Sequence, residues 1–421
     1  MVQNLISITY ESYICAMKHT IIASFLLAFC GTFFSQNIKS IQLRPLGENN
    51  FSAIVPLGTV LELSFDDLDN DNKEYQYKIQ HMTHDWQPSR LLSSQYIDGF
   101  DQNNINTITN SFNTFQNYTH YAVQIPNRNS IITKSGNYLL SVLNDDDEVV
   151  FTRRFVLYEN EVTVGVNVSR SRNAKALQTQ QTVEFVVSHP KLRINNPSQE
   201  VHVVILKNEN WNETITGLQP TFFQQNVLRY SYNNNTNFWG GNEYLNFDTK
   251  IIRNNSLNVV KVERKDIFHH YLYPNDVKTF KTYRYNPDIN GQFAIRTLEG
   301  SDAATEADYA MMHFTLLSEE PFADKDIYVY GAFNNFEIEE ENKLFYNPNT
   351  NSYVGNILLK QGFYNYSFVT VDKNNVIDKN EIMGSFFETE NEYKVLFYFK
   401  AFGALYDRVV GVGMSSFSQN R

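Results

Sequence analysis

The chain has 421 residues, a formal net charge of -11 at pH 7 and 42% hydrophobic residues. This hydrophobic share is large enough to build folded cores, which excludes a disordered acidic tail. At roughly 100–150 residues per domain, the length predicts about three domains. The acidic balance disfavours nucleic acid and anionic lipid surfaces as partners.

Residues 21–34 form an apolar run behind Lys18 and His19, a pattern typical of a signal-peptide core. The run is shorter than the ~20 residues that a membrane-spanning helix needs. We therefore expect residues 1–36 to be a signal peptide, with Met17 as an alternative start, and the mature chain to be exported. No later apolar run is long enough to span a membrane as a helix.

The chain has 2 cysteines, Cys15 and Cys30, and both lie in the predicted signal peptide. The mature chain is therefore expected to contain no disulfide, no thiolate metal site and no cysteine nucleophile. Lipidation of Cys30 stays open as an alternative, which the bulky Phe29 before it disfavours.

After this segment, aromatic residues recur in short alternating runs, the pattern of β-strands, and no helix longer than a turn or two is expected. The runs 61–65 and 75–79 predict a hairpin with a polar tip. A second predicted hairpin, 138–143 with 149–157, closes a first domain over residues 37–158.

Two further series of strands follow. The first predicts a middle β domain over residues 159–306, with strands at 162–166, 182–187, 201–206, 228–232, 244–249 and 259–262. The second predicts a C-terminal domain over 307–421, with strands at 313–316, 327–330, 353–358, 364–369 and 394–399. The predicted fold class is all-β, a row of about three immunoglobulin-like β-sandwich domains after an N-terminal signal peptide.

His81 and His84 are three residues apart, a spacing that brings two imidazoles to one metal on a helix. Here they follow a predicted strand, where the same spacing does not make them converge. The favoured interpretation is a turn at the end of a strand, with Trp86 packed in the core.

Asp67, Asp69 and Asp71 alternate as the ligands of a calcium loop do. However, Asn72 stands where such a loop needs glycine, and Lys78 stands where it needs a bidentate glutamate. A solvated turn is therefore the favoured interpretation.

The sequence contains no glycine-rich phosphate loop, no His-Glu-x-x-His motif and no nucleophile elbow. We therefore expect no enzyme activity, no catalytic residue, no cofactor and no metal. A hydrolase that uses scattered acids, such as those at 339–341, stays an open alternative.

The first domain contains an ordered series of short segments: 38–43, 61–65, 75–81, 85–89, 96–100, 111–114, 118–121, 125–127 and 135–138. This series resembles the N-terminal domain of the type IX secretion system plug protein family. The resemblance identifies a set of motif residues with structural or interface roles: His81, Asp85, Trp86, Pro88, Tyr96, Gly99, Tyr118, Tyr121 and Pro126.

The resemblance implies a periplasmic protein on the inner face of the outer membrane. It implies that this protein binds the outer-membrane translocon barrel of the type IX system and closes its pore when no substrate is passing. No small-molecule substrate and no nucleic acid is expected. Residues 98–100 and 103–117 are candidate contacts with the barrel because loops carry function more often than strands.

The C-terminal domain is similar to early-set immunoglobulin modules related to glycogen-binding domains, through residues 329–336 and 360–366. Sugar binding in those modules needs an exposed indole, and Phe336 stands at that position. The three tryptophans all lie in the earlier domains, at Trp86, Trp211 and Trp239. A carbohydrate-binding protein of the periplasm or cell surface is therefore the alternative function.

Overall fold

The computed structural model describes residues 37–47, 50–232 and 234–417. The predicted signal peptide and both cysteines lie outside the described residues. Strands dominate the described residues, which confirms the all-β prediction. Their two α-helices, α1 (Pro197–Glu200) and α2 (Ala303–Glu306), have four residues each.

Residues 38–158 form a first sandwich. Its strands are β1 (Ile38–Pro45), β2 (Ile54–Pro56), β3 (Leu61–Asp67), β4 (Gln76–Met82), β5 (Ile97–Gly99), β6 (Gln102–Asn104), β7 (Thr107–Asn110), β8 (Thr119–Ile125), β9 (Ser130–Ile132), β10 (Gly136–Leu143) and β11 (Val149–Tyr158). One sheet has the order β1-β3-β8-β7 and the other β2-β11-β10-β4-β6, while β5 and β9 form a separate pair.

The core of the first sandwich is built by period-2 alternation, which points every second side chain inward. In β3, Leu61, Leu63 and Phe65 are buried, and the Phe65 ring stacks on Tyr121 of the neighbouring strand at 5.0 Å. Such aromatic pairs stabilise a fold beyond the area that they bury.

Of the two predicted hairpins, only the second forms. The β10–β11 hairpin is confirmed, with Tyr138 opposite Phe155. The predicted hairpin of 61–65 with 75–79 is wrong, because β3 pairs with β1 and β8 while β4 pairs with β10 and β6 in the other sheet. The connection between them crosses the sandwich instead of folding back within one sheet.

The chain continues through seven strands up to residue 239. They are β12 (Thr163–Arg170), β13 (Gln180–Ser188), β14 (Val201–Lys207), β15 (Asn210–Ile215), β16 (Phe222–Gln224), β17 (Val227–Tyr230) and β18 (Asn237–Trp239).

The remaining strands fill the rest of the chain. They are β19 (Leu245–Asp248), β20 (Val259–Arg264), β21 (Phe268–Leu272), β22 (Asn275–Asp276), β23 (Phe293–Ile295), β24 (Tyr309–Leu317), β25 (Lys325–Tyr330), β26 (Lys343–Asn347), β27 (Ser352–Lys360), β28 (Gly362–Asp372), β29 (Ile377–Asp378), β30 (Asn391–Phe399) and β31 (Arg408–Phe417).

A second sandwich combines strands from distant parts of the sequence. One sheet has the order β12-β13-β17-β16 with β18 paired to β13, and the other has the order β15-β14-β30-β31. In the second of these sheets, Val203 lies opposite Phe397. The two sheets enclose a core that includes Val183, Val187, Val203 and Phe397.

The other strands form one large sheet, which we call the third sheet. Its order is β19-β28-β25-β26-β27-β24-β21-β20, with β22 paired to β24 and with β23 and β29 paired to β28. Its core includes Phe247, Phe314 and Tyr364. Because β14 pairs with β30 and β19 with β28, segments 159–306 and 307–421 share two sheets. The predicted division at 306 and 307 stays a prediction.

A further apolar cluster lies where the first sandwich packs on the second. It contains Ile54 and Val156 from the first sandwich and Val204, Leu206, Leu396, Tyr398 and Val409 from the second. Burial of apolar side chains between two sheets stabilises their packing in the same way as a sandwich core.

Candidate functional site

Residues 98–100, which we call the Phe100 tip, end the short strand β5. Phe100 is 70% exposed. The backbone N–H of Phe100 donates to the carbonyl of Asn129 at 2.8 Å. Gly99 has a φ of +112°, and a Cβ there would lie 2.2 Å from the same Asn129 oxygen. The backbone of the tip is therefore held closely while its aromatic ring faces solvent.

Only the first half of the predicted loop 103–117 is available for contact with a partner. Its first half contains β7, an edge strand whose four residues are all exposed. Its second half is bound within the chain, because the N–H of Phe112 donates to Thr305 O at 3.0 Å and the N–H of Phe115 donates to Asp308 Oδ2 at 2.8 Å. The second half therefore fixes the first sandwich to the segment before β24.

The motif residue Tyr118 lies at the same junction and is fully buried. Its hydroxyl donates to the carbonyl of Ala307 at 2.8 Å, and its ring meets the ring of Tyr309 edge-on at 5.3 Å. The ammonium of Lys360 lies 4.1 Å from the Tyr118 ring centroid, within the range of a cation–π contact.

A buried ion pair completes this junction. Asp66 Oδ2 lies 2.6 Å from Lys360 Nζ and 2.6 Å from the Tyr309 hydroxyl, while Asp66 Oδ1 lies 2.6 Å from His120 Nδ1. The side chains of Asp66 and Lys360 are 1% and 2% exposed. Burial lowers the pKa of Lys360, and the carboxylate of Asp66 opposes that shift. The pair is satisfied on both sides, which a buried charge requires.

The motif residue Trp86 lies at the junction with the second sandwich. Its ring meets Trp211 edge-on at 4.8 Å, and the guanidinium of Arg154 lies 4.7 Å from the Trp86 ring centroid. Trp86 is half-buried and packs against the cluster between the two sandwiches. It therefore contributes to the junction core rather than to the core of its own sandwich.

His81 and His84 do not converge. His81 is buried, and its Nε2 lies 3.3 Å from the carbonyl of Ser135. His84 Nδ1 lies 2.9 Å from Asp407 Oδ2, and its ring stacks on His202 with an interplanar angle of 9°. Burial opposes the shift, but hydrogen bonds from His84 hold the pKa of Asp407 well below its usual range.

His84, His202 and Asp407 place possible ligand atoms within 4.8 Å of one another. Because the two rings are nearly parallel, their in-plane nitrogen lone pairs do not point to one common position. A tetrahedral metal site needs ligands that converge. This arrangement therefore serves as a packing and hydrogen-bonding contact between β14 and the turn after β4.

Buried histidines make the fold sensitive to acid. Burial lowers the pKa of His81 and of His270 from 6.5 to about 4. Since the unfolded chain binds these protons more readily, stability is full above pH 6.5 and falls as the pH drops towards 4. We expect each histidine to cost about 3 kcal/mol across that window. Urea unfolding from pH 7.5 to 4.5 measures this loss.

Replacing His81 by glutamine removes one of the two titrating groups. The stability of H81Q is therefore expected to fall less steeply with acid than that of the wild type. Equal slopes for the two proteins would exclude His81 as a source of the acid sensitivity.

Tyr96 and Tyr121 are buried, and both hydroxyls bond to the backbone. Tyr96 donates to Ile79 O at 3.3 Å, and Tyr121 donates to Lys73 O at 3.0 Å. Burial raises the pKa of Tyr121 to about 12, so it is a neutral donor at physiological pH. Within the first sandwich, these two motif residues are structural.

The motif residues Asp85 and Pro88 lie in an exposed turn. Asp85 accepts a hydrogen bond from the hydroxyl of Thr83, and Pro88 forms a bridge to Met82. Pro126 follows a cis peptide bond directly after β8. An interface role for any of the nine motif residues stays a prediction.

A lysine occupies the space between the three alternating aspartates. Lys73 Nζ lies 3.0 Å from Asp67 and 3.5 Å from Asp71, and it also pairs with Asp69. Asp67 is buried and accepts a hydrogen bond from the hydroxyl of Tyr75 at 2.8 Å. The sequence predicts a solvated turn, whereas the structure buries this end of it.

Phe336, at the position where the sugar-binding modules need an exposed indole, is 4% exposed. Its ring packs 5.3 Å from that of Tyr330. Phe336 therefore presents no platform to a sugar.

Sequence patterns predict little about the contacts across the junctions. Asp66 and Lys360 are separated by 294 residues, and Phe115 and Asp308 by 193. The one available signal is that Asp66 follows the buried Phe65 inside a strand, where a charge needs a partner.

Comparison with known proteins decides the family. Residues 38–159 match the family model of the type 9 secretion system plug protein 1st domain. The first sandwich therefore belongs to this family of plug-protein first domains. The match covers the first sandwich, from its first strand to just past its last, and confirms the family resemblance seen in the sequence.

The rest of the chain also has a structural counterpart. A crystal structure of a hypothetical protein from Parabacteroides merdae is 31% identical, with a TM-score of 0.86, over 90% of this chain and 97% of that chain. The likeness therefore extends over the second sandwich and the third sheet. No curated protein sequence matches the chain.

The matched family connects the first sandwich with type 9 secretion. In the ranges that the structure describes, no helix has both the length and the apolar character needed to cross a membrane.

Proposed function

We propose that this protein is a periplasmic plug, which binds the outer-membrane translocon barrel of the type IX system and closes its pore while no substrate passes. The observation that carries the proposal is the match of residues 38–159 to the first domain of the plug family. Outer-membrane barrels reach about 36 strands, and so wide a lumen leaks solutes unless a large body covers it.

The packing of the sandwiches supports this proposal, because a stopper has to keep its shape. An apolar cluster joins the first sandwich to the second, and the Asp66–Lys360 pair joins it to the third sheet. Buried apolar and charged contacts of this kind resist hinge motion better than exposed linkers do.

We assign the contact with the barrel to the Phe100 tip. Interfaces that form and release combine a few buried aromatic anchors with a polar rim. Phe100 is 70% exposed and is flanked by Asp98 and Asp101. Its backbone is fixed by the bond to Asn129, so little conformational freedom is lost on binding.

The test is affinity capture with the tagged mature chain from detergent-solubilised outer membranes. The wild type is expected to recover one very large barrel protein. Phe100→Ala is expected to weaken capture by about tenfold or more, since a central aromatic anchor contributes about 2 kcal/mol or more. The matched control is Phe402→Ala, which removes a ring that is 96% exposed in another loop.

The two parts of the proposal fail separately. Recovery of no barrel protein by the wild type would overturn the plug assignment. Equal recovery by the wild type, Phe100→Ala and Phe402→Ala would leave the plug in place and remove the Phe100 tip as its contact.

A further inference from the structure

A cavity of about 240 Å³ lies where the first sandwich, the second sandwich and the third sheet meet. Segments of β1, β11 and β15 line it, together with β23 and the turn at 332–337. Because every part of the fold contributes to its wall, the cavity exists only in the assembled chain. It is distinct from the Phe100 tip, none of whose residues lines it.

Three arginines line this cavity: Arg44, Arg153 and Arg154. No ion pair joins any of them to a carboxylate of the described residues. The guanidinium of Arg153 donates to the neighbouring carbonyl of Thr152 at 2.8 Å, which engages one of its five donors. The other guanidinium N–H groups of Arg153 therefore have no acceptor among the described residues.

Two acids also line the cavity, and both are already engaged. Glu209 pairs with Lys394 and accepts from the hydroxyl of Ser52 at 3.1 Å. Glu337 Oε1 accepts from the amide of Asn335 at 2.5 Å. The arginines therefore give the cavity an excess of positive charge, in a chain whose net charge is -11.

Arg153 reaches this position because the edge of the first sandwich is open beside it. Its partner across the sheet is the buried Leu140, so its Cβ starts on the inner face of β11. The edge strand β2 covers β11 only from Val156 to Tyr158, which leaves the sheet uncovered at Arg153. The Arg153 side chain lines the cavity beside this edge.

Arg153 is half-buried, and its guanidinium can donate to further acceptors. Burial lowers the pKa of Arg153 to about 10, and Glu337 and Glu339 oppose the shift from a distance. The group therefore stays charged at neutral pH. An acceptor stabilises a half-buried charge, and a planar guanidinium fits carboxylate and phosphate oxygens in pairs.

We propose that this cavity binds a small anionic molecule, whose carboxylate or phosphate group pairs with the guanidinium of Arg153. Arg44 and Arg154 supply further positive charge around the same group. The indole of Trp211 lines the cavity and gives an organic part of the ligand an apolar contact. This site is independent of the proposed contact with the barrel.

The test uses the mature chain with sodium citrate and with inorganic phosphate as separate probes, each compared with sodium chloride at equal ionic strength. Binding is followed by tryptophan fluorescence and by the melting temperature. We expect saturable binding of at least one probe. Citrate alone would identify a carboxylate site, and phosphate alone would identify a phosphate site.

Arg153→Met keeps an unbranched apolar stem and removes the charged guanidinium, and is expected to raise the Kd at least tenfold. Arg153→Lys keeps the charge but loses the planar fork, and is expected to bind with intermediate affinity. The matched control is Arg172→Met, whose side chain is 72% exposed outside the cavity and whose binding is expected to be unchanged. If Arg153→Met does not fold, Arg153→Lys decides.

Responses that follow ionic strength alone would overturn the proposal, as would equal affinities of the Arg153 and Arg172 variants. Saturation by an acidic peptide but by neither small anion would show that the cavity receives a segment of a partner protein instead. Barrel capture by Arg153→Met is expected to equal that of the wild type. A negative result for anion binding would therefore leave the plug assignment unaffected, and the reverse also holds.

Discussion

Replacing Lys360 by methionine is expected to lower the free energy of unfolding by about 3–5 kcal/mol. The substitution removes the cation that lies 2.6 Å from Asp66 Oδ2, at a junction where both side chains are almost fully buried. Asp66 is then left as a buried carboxylate with only neutral donors and His120 around it. Urea unfolding at pH 7.5 measures the loss.

Two further variants separate a buried charge from an exposed one. Lys325 also pairs with a glutamate at 2.7 Å but is 32% exposed, so Lys325→Met is expected to cost less than about 1 kcal/mol. Asp66→Asn combined with Lys360→Met removes both charges and is expected to recover part of the stability. A loss in Lys360→Met no larger than that in Lys325→Met would contradict the role assigned to the pair.

The positions of many strands can be predicted from the sequence. Which strands pair with each other can be predicted only where the two strands are close together in the chain. Alternation places Leu61, Leu63 and Phe65 on one face whatever strand lies beside them. The β10–β11 hairpin followed from a short polar turn between two runs. The connection from β3 to β4 is also rich in polar residues but crosses to the other sheet, and alternation does not distinguish these paths.

The second sandwich shows the same limit over a longer range. Val203 and Phe397 are neighbours across a sheet, yet nothing near either residue in the sequence identifies the other. Both strands have the apolar pattern expected of a buried sheet. Local patterning therefore predicts that such strands exist and are buried, while their pairing depends on the assembled chain.

The motif residues show why a family pattern does not by itself locate an interface. Tyr118 and Trp86 are large and partly polar, a type that is common both in cores and at binding surfaces. The structure places both at internal junctions, whereas Phe100, a neighbour of the motif residue Gly99, is 70% exposed. The exposure of each motif residue depends on the second sandwich and the third sheet, because these cover one side of the first sandwich.

Replacing Gly99 by alanine is expected to lower the free energy of unfolding by about 3 kcal/mol. Gly99 has a φ of +112°, and a Cβ there would lie 2.2 Å from Asn129 O. The left-handed backbone accounts for about 1 kcal/mol or slightly more, and the steric clash for the rest. Gly58 is the matched control, with a φ of +95° and no atom within 4 Å of the added Cβ.

Gly58→Ala is therefore expected to cost about 1 kcal/mol, and the difference between the two variants measures the clash alone. The same clash displaces the backbone that bonds Phe100 N to Asn129 O, so Gly99→Ala moves the ring that we assign to the barrel contact. Folded Gly99→Ala is expected to recover less barrel protein than folded Gly58→Ala. Equal stability losses in the two variants would contradict the close approach at Asn129, and equal capture would show that the position of the tip does not matter for binding.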